Sequence, residues 1–141
     1  SAWEELYCPL DSSHLPANAN GFSGKYNTIQ MNGKEVFKFA VTTLESAIDQ
    51  ALTSTGIKPD DLAMVIPHQS NARIIDAARV RLDLPREKMC LNIDRYGNTS
   101  AASVPICLHE MIEQQKLKTG DLVLFVAIGG GMTWATNLWR L

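Results

Sequence analysis

The sequence predicts an α/β fold in which strands and helices alternate in the order β-α-β-α-β-α-β-β. Three observations lead to this prediction: short apolar runs of strand length, longer segments with apolar residues at helical spacing, and turn residues at the junctions. Such alternation is typical of a mostly parallel sheet flanked by helices. Two consecutive strands close the chain, so we expect the final strand to be antiparallel. The length of 141 residues fits one ordinary domain.

The opening part of the chain has little periodicity. Residues 3–8 read as a strand, and residues 11–32 form a polar loop rich in Asn, Gly and Ser, so we expect residues 1–32 to be an opening strand and an irregular loop of the same domain. From Lys34 to about Gly56, apolar residues recur at helical spacing and predict the first long helix.

The middle of the chain alternates between strands and helices. Residues 62–67 are an apolar run suited to a buried strand, and a helix follows from Asn71 to about Arg81, with Asn71 or Ser70 as its cap. Residues 89–93 are predicted to form the next strand. A third helix is predicted over residues 100–115.

The end of the chain reads as two strands around a tight break. Residues 122–128 are a buried strand, three glycines follow at 129–131, and residues 133–140 form the final strand. The run at 122–128 is the longest apolar stretch and is too short to span a bilayer.

Composition narrows the possible functions. The sequence is 45% hydrophobic and 20% charged, with a net charge of −2, which is typical of a soluble globular protein and gives no global attraction to nucleic acid. The three cysteines and three histidines have no metal-ligand spacing, so we expect no metal site and no disulfide framework. A cytoplasmic protein without nucleic-acid or membrane partners is the resulting expectation. The cysteines are Cys8, Cys90 and Cys107.

Three groups are predicted to meet at one edge of the sheet. His68 directly follows a strand, Asn98 follows the loop after the next strand, and the glycine triplet follows another. A neutral imidazole and an amide can both donate hydrogen bonds to one oxygen, which would form an oxyanion hole for an enolate. A structural histidine is the alternative for His68, and a hairpin or bulge would also explain the glycines.

Four segments carry a resemblance to a known family. They are "FKFAV", "IPHQSNARII", "DRYGNTSAASVP" and "GDLVLFVAIGGGMTW". Together they resemble the C-terminal half of β-ketoacyl-acyl carrier protein synthase III, a condensing enzyme that starts fatty acid synthesis. The resemblance covers residues 33–141 and implies one half of a thiolase-like fold.

The resemblance implies roles for individual residues. His68 and Asn98 would be catalytic and would hydrogen-bond the thioester oxygen of malonyl-acyl carrier protein as it loses CO₂. The backbone N–H of Gly130 would serve the oxyanion hole beside the nucleophile. Gly33 and Asn71 would lie along the pantetheine tunnel. The substrates would be acyl-CoA and malonyl-acyl carrier protein, and no cofactor would be permanently bound.

The resemblance also implies a surface for the acyl carrier protein. Arg79 and Arg81 are weaker candidates for it, and a solvated helix face remains the alternative for every basic residue. The residues expected to bind the carrier protein are Lys38, Gln69, Ser70, Asn71, Ala72 and Arg73.

The nucleophile of the family is a cysteine at a helix N-terminus in the other half of the fold. None of the three cysteines here matches it, so we expect a missing N-terminal half to supply it, and this chain alone to be inactive in condensation. Homodimerisation is a further expectation from the family. A lone half would expose an apolar face, particularly along the helix after Asn98, and we expect it to self-associate.

Two alternatives stay open from the sequence. One is a specialised relative that makes a polyketide starter, quinolone, ester or amide. The other is a non-catalytic subunit that binds a carrier protein or coenzyme A.

Overall fold

The fold has the predicted alternation of helices and strands from the first long helix onwards, with one predicted strand largely missing. The computed structural model describes residues 2–17, 19 and 22–141, so three residues of the predicted 11–32 loop, and Ser1, lie outside the described part. In chain order the main elements are β1 (Leu6–Tyr7), β2 (Gln30–Met31), α1 (Gly33–Thr55), β3 (Leu62–Pro67), α2 (Ala72–Arg81), α3 (Ile93–Tyr96), α4 (Ser103–Glu113), β4 (Leu122–Gly129) and β5 (Thr133–Arg140).

A mixed sheet of three strands lies at the centre, in the order β3-β4-β5. β3 and β4 are parallel, and β4 and β5 are antiparallel over the full length of β5. The predicted α/β class and the antiparallel final strand are therefore confirmed. In the described part of the chain, no helix is long and apolar enough to cross a bilayer.

Helices cover both faces of this sheet and create two cores. Alternating side chains of β3 and β4 point to opposite faces, as the two-residue period of a strand requires. On one face Val65 and Leu124 pack beneath α1 and α2, and on the other Ile66 and Val123 pack beneath α4. A strand buried on both faces must be apolar throughout, which explains why both strands read as continuous apolar runs.

The long helix α1 ends where its sequence predicts. Gly56 adopts a left-handed backbone with φ of 68°, and its N–H donates to the carbonyls of Leu52 and Thr53, which closes the last turn. At the start of α2, Asn71 accepts a hydrogen bond from the backbone N–H of Arg73 through its side chain, at 2.9 Å. The predicted cap at Asn71 is confirmed.

The strand expected at residues 89–93 is mostly absent, and that prediction was wrong. A single parallel bridge joins Met89 to Val65, and α3 then begins at Ile93. The reason is a side chain: the backbone N–H of Asn92 donates to Oε1 of Gln69 at 2.9 Å, where a strand would need a neighbouring backbone carbonyl. The chain therefore leaves the sheet after two residues.

The opening strand also differs from the prediction at residues 3–8. A 3₁₀ turn occupies Ala2–Glu5, and only Leu6–Tyr7 form a strand, β1, which pairs with β2 and stands apart from the central sheet. Pro9 limits the strand because it has no backbone N–H to donate. The helix expected at residues 100–115 begins as a 3₁₀ turn at Ser100–Ala102 and continues as α4.

Candidate functional site

The candidate site lies at the carboxyl ends of β3 and β4. Pro67 is paired with Val126 in the sheet, and the backbone N–H of the next residue, His68, donates to the carbonyl of Val126 at 2.8 Å. This bond extends the ladder by one residue and fixes the backbone from which the imidazole projects. The glycine turn at residues 129–131 follows β4 at the same end of the sheet, because the two strands are parallel.

The half-buried His68 side chain is held by the start of α4. Its Nδ1 lies 2.7 Å from Oγ of Ser103. Burial lowers the pKa of His68 below its ordinary value of 6.5, and a hydrogen bond with the Ser100 backbone partly opposes this effect. His68 is therefore neutral at pH 7. A neutral ring can donate one N–H hydrogen bond without carrying the positive charge that would make it strongly acidic.

The Asn98 side chain is oriented by its own loop. Its Oδ1 accepts a hydrogen bond from the backbone N–H of Ser100 at 2.9 Å. Because the oxygen is engaged, the amide NH₂ group is the part left to contact a ligand. Asn98 is exposed, as a group that meets a substrate has to be. Ser100 adopts a left-handed backbone with φ of 53°, which turns the chain back towards His68.

The structure links the two predicted donors through one short segment. The backbone of Ser100 forms hydrogen bonds with the side chains of both Asn98 and His68. The side chain of Ser103, three residues further along the chain, is hydrogen-bonded to His68. The convergence expected from the strand ends is therefore visible for His68 and the Asn98 loop.

The glycine turn leaves open space beside the site. A Cβ placed on Gly130 would meet no atom within 4 Å, and Gly130 is exposed. Gly131 has φ of 73°, a backbone conformation that favours glycine. Met132, next in the chain, lines a groove of about 380 Å³ together with Lys38 and Phe39 of α1.

The two residues predicted for the pantetheine tunnel are both at helix starts. Gly33 is the first residue of α1 and is exposed, and Asn71 is the exposed cap of α2. The cap uses only the amide oxygen of Asn71, so its NH₂ group is the part available to a ligand.

The basic residues divide into two groups. The Arg73 guanidinium lies over the ring of Phe37, 5.7 Å from its centroid, so Arg73 and the neighbouring Lys38 share one exposed surface. Neither forms an ion pair with another described residue. Arg79 and Arg81, the weaker candidates, are paired with Asp76 at 2.8 Å and Glu45 at 3.0 Å.

Gln69 is placed differently from the other residues expected to meet a carrier protein. Its side chain is fully buried and has three hydrogen bonds: Nε2 donates to the carbonyls of Pro67 and Cys90, and Oε1 accepts from Asn92. It has no surface to offer a partner. Ser70 and Ala72 are half-buried.

Two residues of this region were not found by sequence reasoning. Ser103 bonds His68 across 35 positions of the chain, and Glu110 receives hydrogen bonds from Asn92, Arg95 and Tyr96, which precede Asn98. Neither residue lies in a pattern that indicates such a role. No group of three or more His, Cys, Asp or Glu residues with metal-binding geometry occurs among the described residues.

The chain is similar in sequence to a known protein family. The sequence model of the family described as "3-Oxoacyl-[acyl-carrier-protein (ACP)] synthase III C terminal" matches residues 52–141. The β-ketoacyl-[acyl-carrier-protein] synthase III of Caldanaerobacter subterraneus is 48% identical over 133 residues, which is 94% of this chain and 40% of that protein. The corresponding protein of Aquifex aeolicus is 51% identical over 112 residues, 79% of this chain and 36% of that protein.

The fold is similar to that of solved structures with the same description. The crystal structure of the synthase III of Thermus thermophilus has a TM-score of 0.89 and 45% sequence identity to this chain. The superposition covers 99% of this chain and 42% of the crystallised one. The chain therefore spans about two fifths of the length of the relatives that it matches.

Proposed function

Because the chain belongs to the 3-oxoacyl-[acyl-carrier-protein] synthase III family, we propose that it provides the decarboxylating half of a condensing-enzyme active site. The substrate of this half is a malonyl group held as a thioester on an acyl carrier protein. The observation that supports the proposal best is the orientation of His68 and Asn98, whose Nδ1 and Oδ1 are engaged by the protein. The NH₂ group of Asn98 is left for a ligand oxygen, and in this proposal His68 supplies the second donor to it.

The reaction proposed for this pair is the loss of CO₂ from the malonyl group. The bond between the α-carbon and the carboxylate breaks, and its electron pair moves onto the α-carbon, delocalised as an enolate on the thioester oxygen. His68 and Asn98 donate to that oxygen while its negative charge develops. The carbanion then attacks the carbonyl carbon of an acyl-cysteine, and the cysteine thiolate leaves.

The acylated cysteine of this proposal lies outside the chain. Cys90 and Cys107 are buried in the core between α4 and the sheet, and the exposed Cys8 follows β1. We assign residues 33–141 to the His/Asn half of a thiolase-like fold and residues 1–32 to its opening segment. An N-terminal half with the cysteine completes the enzyme, and the backbone N–H of Gly130 supports the acyl thioester from this side.

The substrates reach the site through their pantetheine arms in this proposal. Gly33 and Asn71 lie at helix starts along that path, and short acyl-CoA and malonyl-acyl carrier protein are the two substrates, without a permanent cofactor. Lys38 and Arg73 bind the acidic carrier protein, because their charges are not compensated by a described ion pair.

The experiment that tests the proposal is decarboxylation of malonyl-acyl carrier protein by the full-length protein that carries this chain. We expect His68→Ala and Asn98→Ala each to lower the rate of CO₂ release by about 10²–10³, the usual effect of losing one oxyanion donor. The matched controls are His109→Ala and Asn137→Ala, which change exposed residues of the same types elsewhere on the surface. CO₂ release at the wild-type rate in both site variants would show that the proposal is wrong.

The same assay separates the carrier surface from the chemistry. Arg73→Glu is expected to raise KM for malonyl-acyl carrier protein roughly tenfold, with little change in kcat, because a rim charge acts on association. Lys118→Glu, an exposed charge at the opposite end of the sheet, is the control. An equal effect of both variants would argue for a general charge effect.

A further inference from the structure

Ser103 is a buried hydroxyl between two backbone segments of the candidate site. It is the first residue of α4 and is 1% exposed. Its Oγ lies 2.7 Å from Nδ1 of His68 and 3.1 Å from the backbone nitrogen of Gln69. The strand that carries His68 and the helix that follows the Asn98 loop are therefore joined at this one atom.

The direction of these two hydrogen bonds follows from the available protons. The backbone N–H of Gln69 can only donate, so Oγ of Ser103 accepts that bond. The hydroxyl proton then needs an acceptor, and among the described residues Nδ1 of His68 is the one within reach. If Nδ1 carried a proton and donated to Oγ, the buried hydroxyl proton would be left without an acceptor, which is costly inside a protein.

We propose that Ser103 is a positioning residue that fixes His68 in the tautomer with the proton on Nε2. The hydroxyl donates to Nδ1, so the neutral ring keeps its single N–H on the opposite nitrogen. This inference rests on the proposed function for its consequence: the Nε2–H group is then the one that donates to the thioester oxygen. Its bond to Gln69 also fixes the hydroxyl relative to the end of β3.

The tautomer can be measured directly by nitrogen NMR of the histidine rings. The chain contains only three histidines, and the His14→Gln and His109→Gln variants assign the His68 signals by elimination. At a pH where His68 is neutral, we expect Nε2 to have the chemical shift of a protonated nitrogen and Nδ1 that of an unprotonated acceptor. A protonated Nδ1, donating to Ser103 or to the Ser100 carbonyl, would overturn the proposal.

Variants at Ser103 test whether the hydroxyl is the cause. Ser103→Ala is expected to shift both ring nitrogens as the bond to Nδ1 is lost, and Ser103→Thr, which keeps a hydroxyl, is expected to restore the wild-type shifts. Ser46→Ala removes an exposed hydroxyl of α1 and serves as the control. Unchanged ring shifts in a folded Ser103→Ala variant would contradict the proposal. If that variant does not fold, the wild-type and Ser103→Thr spectra still decide between the tautomers.

Failure of this inference is distinguishable from failure of the proposed function. In the full-length protein, Ser103→Ala is expected to lower kcat for decarboxylation about tenfold with KM retained, because the substrate still binds but the donor is misoriented. If His68→Ala decarboxylates normally while the wild-type ring carries its proton on Nε2, the function is wrong and the tautomer assignment stands. If the proton is on Nδ1, the inference is wrong whatever the activity.

Discussion

Gln69 stands in a segment of polar residues, yet its side chain is completely buried. A side-chain amide has two donors and an acceptor, and Gln69 uses them to bond the end of β3, the chain at Cys90 and the backbone of Asn92. The residue therefore holds together two segments that carry His68 and Asn98. A polar residue after a strand is usually exposed, and nothing local in the sequence marks this one as an exception.

Replacing Gln69 should cost far more stability than replacing its exposed neighbour Asn71. Gln69→Ala leaves two carbonyls and one N–H unpaired in the interior, and we expect a loss of about 3 kcal/mol in the free energy of unfolding. Asn71→Ala removes only a helix cap, which typically costs about 1 kcal/mol. Urea denaturation of the two variants measures both values. Similar losses would mean that water replaces the Gln69 bonds and that its burial is not structural.

At the scale of elements, the short segment that precedes Asn98 is held against α4 by one carboxylate. Glu110 is nearly buried, and it accepts hydrogen bonds from Asn92 at 2.7 Å, from Tyr96 at 3.0 Å and from both terminal nitrogens of Arg95. Burial alone would raise the pKa of the Glu110 carboxyl, but these bonds outweigh it, and its pKa is lowered from the ordinary 4.5. The four-residue helix α3 is too short to be stable without such support.

Glu110→Gln is expected to destabilise the chain by about 2 kcal/mol at pH 7, because the hydrogen bonds to a charged acceptor become bonds to a neutral one. A lowered carboxyl pKa means that the stabilisation is complete above pH 4.5 and is lost as the pH falls through the value of the folded state. The difference between wild type and variant should therefore shrink in acid. Urea midpoints at pH 7 and in acid measure this, with Glu113→Gln, an exposed carboxylate of the same helix, as the control.

A difference that stays constant between neutral pH and acid would contradict this account. It would mean that the variant acts through packing, because packing does not respond to protonation of the carboxylate. An equal loss of stability in Glu113→Gln would show that the effect comes from the overall charge of α4 and not from the hydrogen bonds of Glu110.

At the scale of the whole molecule, the spacing of apolar residues in the sequence predicted the helices and strands whose side chains pack in the core. The long helix α1 and the strand β4 agree with their predicted bounds within two residues, since each has a regular apolar pattern. The mostly exposed β5 also agrees, because the glycine turn marks its start. The strand expected at residues 89–93 is absent because the backbone N–H of Asn92 donates its hydrogen bond to the side chain of Gln69, which is distant in sequence. The same limit applies to the site: the end of β3 predicts the position of His68, but the partner that orients His68 is 35 positions away.

The exposed apolar surface is not confined to the helix after Asn98. Along α4, Pro105 and Ile112 are exposed and Leu108 is half-buried, so an apolar stripe lies open on this helix. The edge strand β5 also exposes Trp134 and Trp139, and Trp134 lines a groove of about 540 Å³ between β5 and α1. Among the described residues β5 pairs only with β4, so its other edge has unpaired backbone groups that can bond another strand.

We therefore expect the 141-residue chain to associate with a second copy of itself through β5. In sedimentation equilibrium its average mass should rise with concentration above the 15.6 kDa of one chain. Trp134→Lys should reduce this association, because a charge on the edge strand opposes pairing and removes apolar area. Ile112→Lys is a matched control, since both side chains are 46% exposed. A monomeric wild-type chain at high concentration would contradict the prediction. Loss of association only in Ile112→Lys would show that the interface lies on α4 and not on β5.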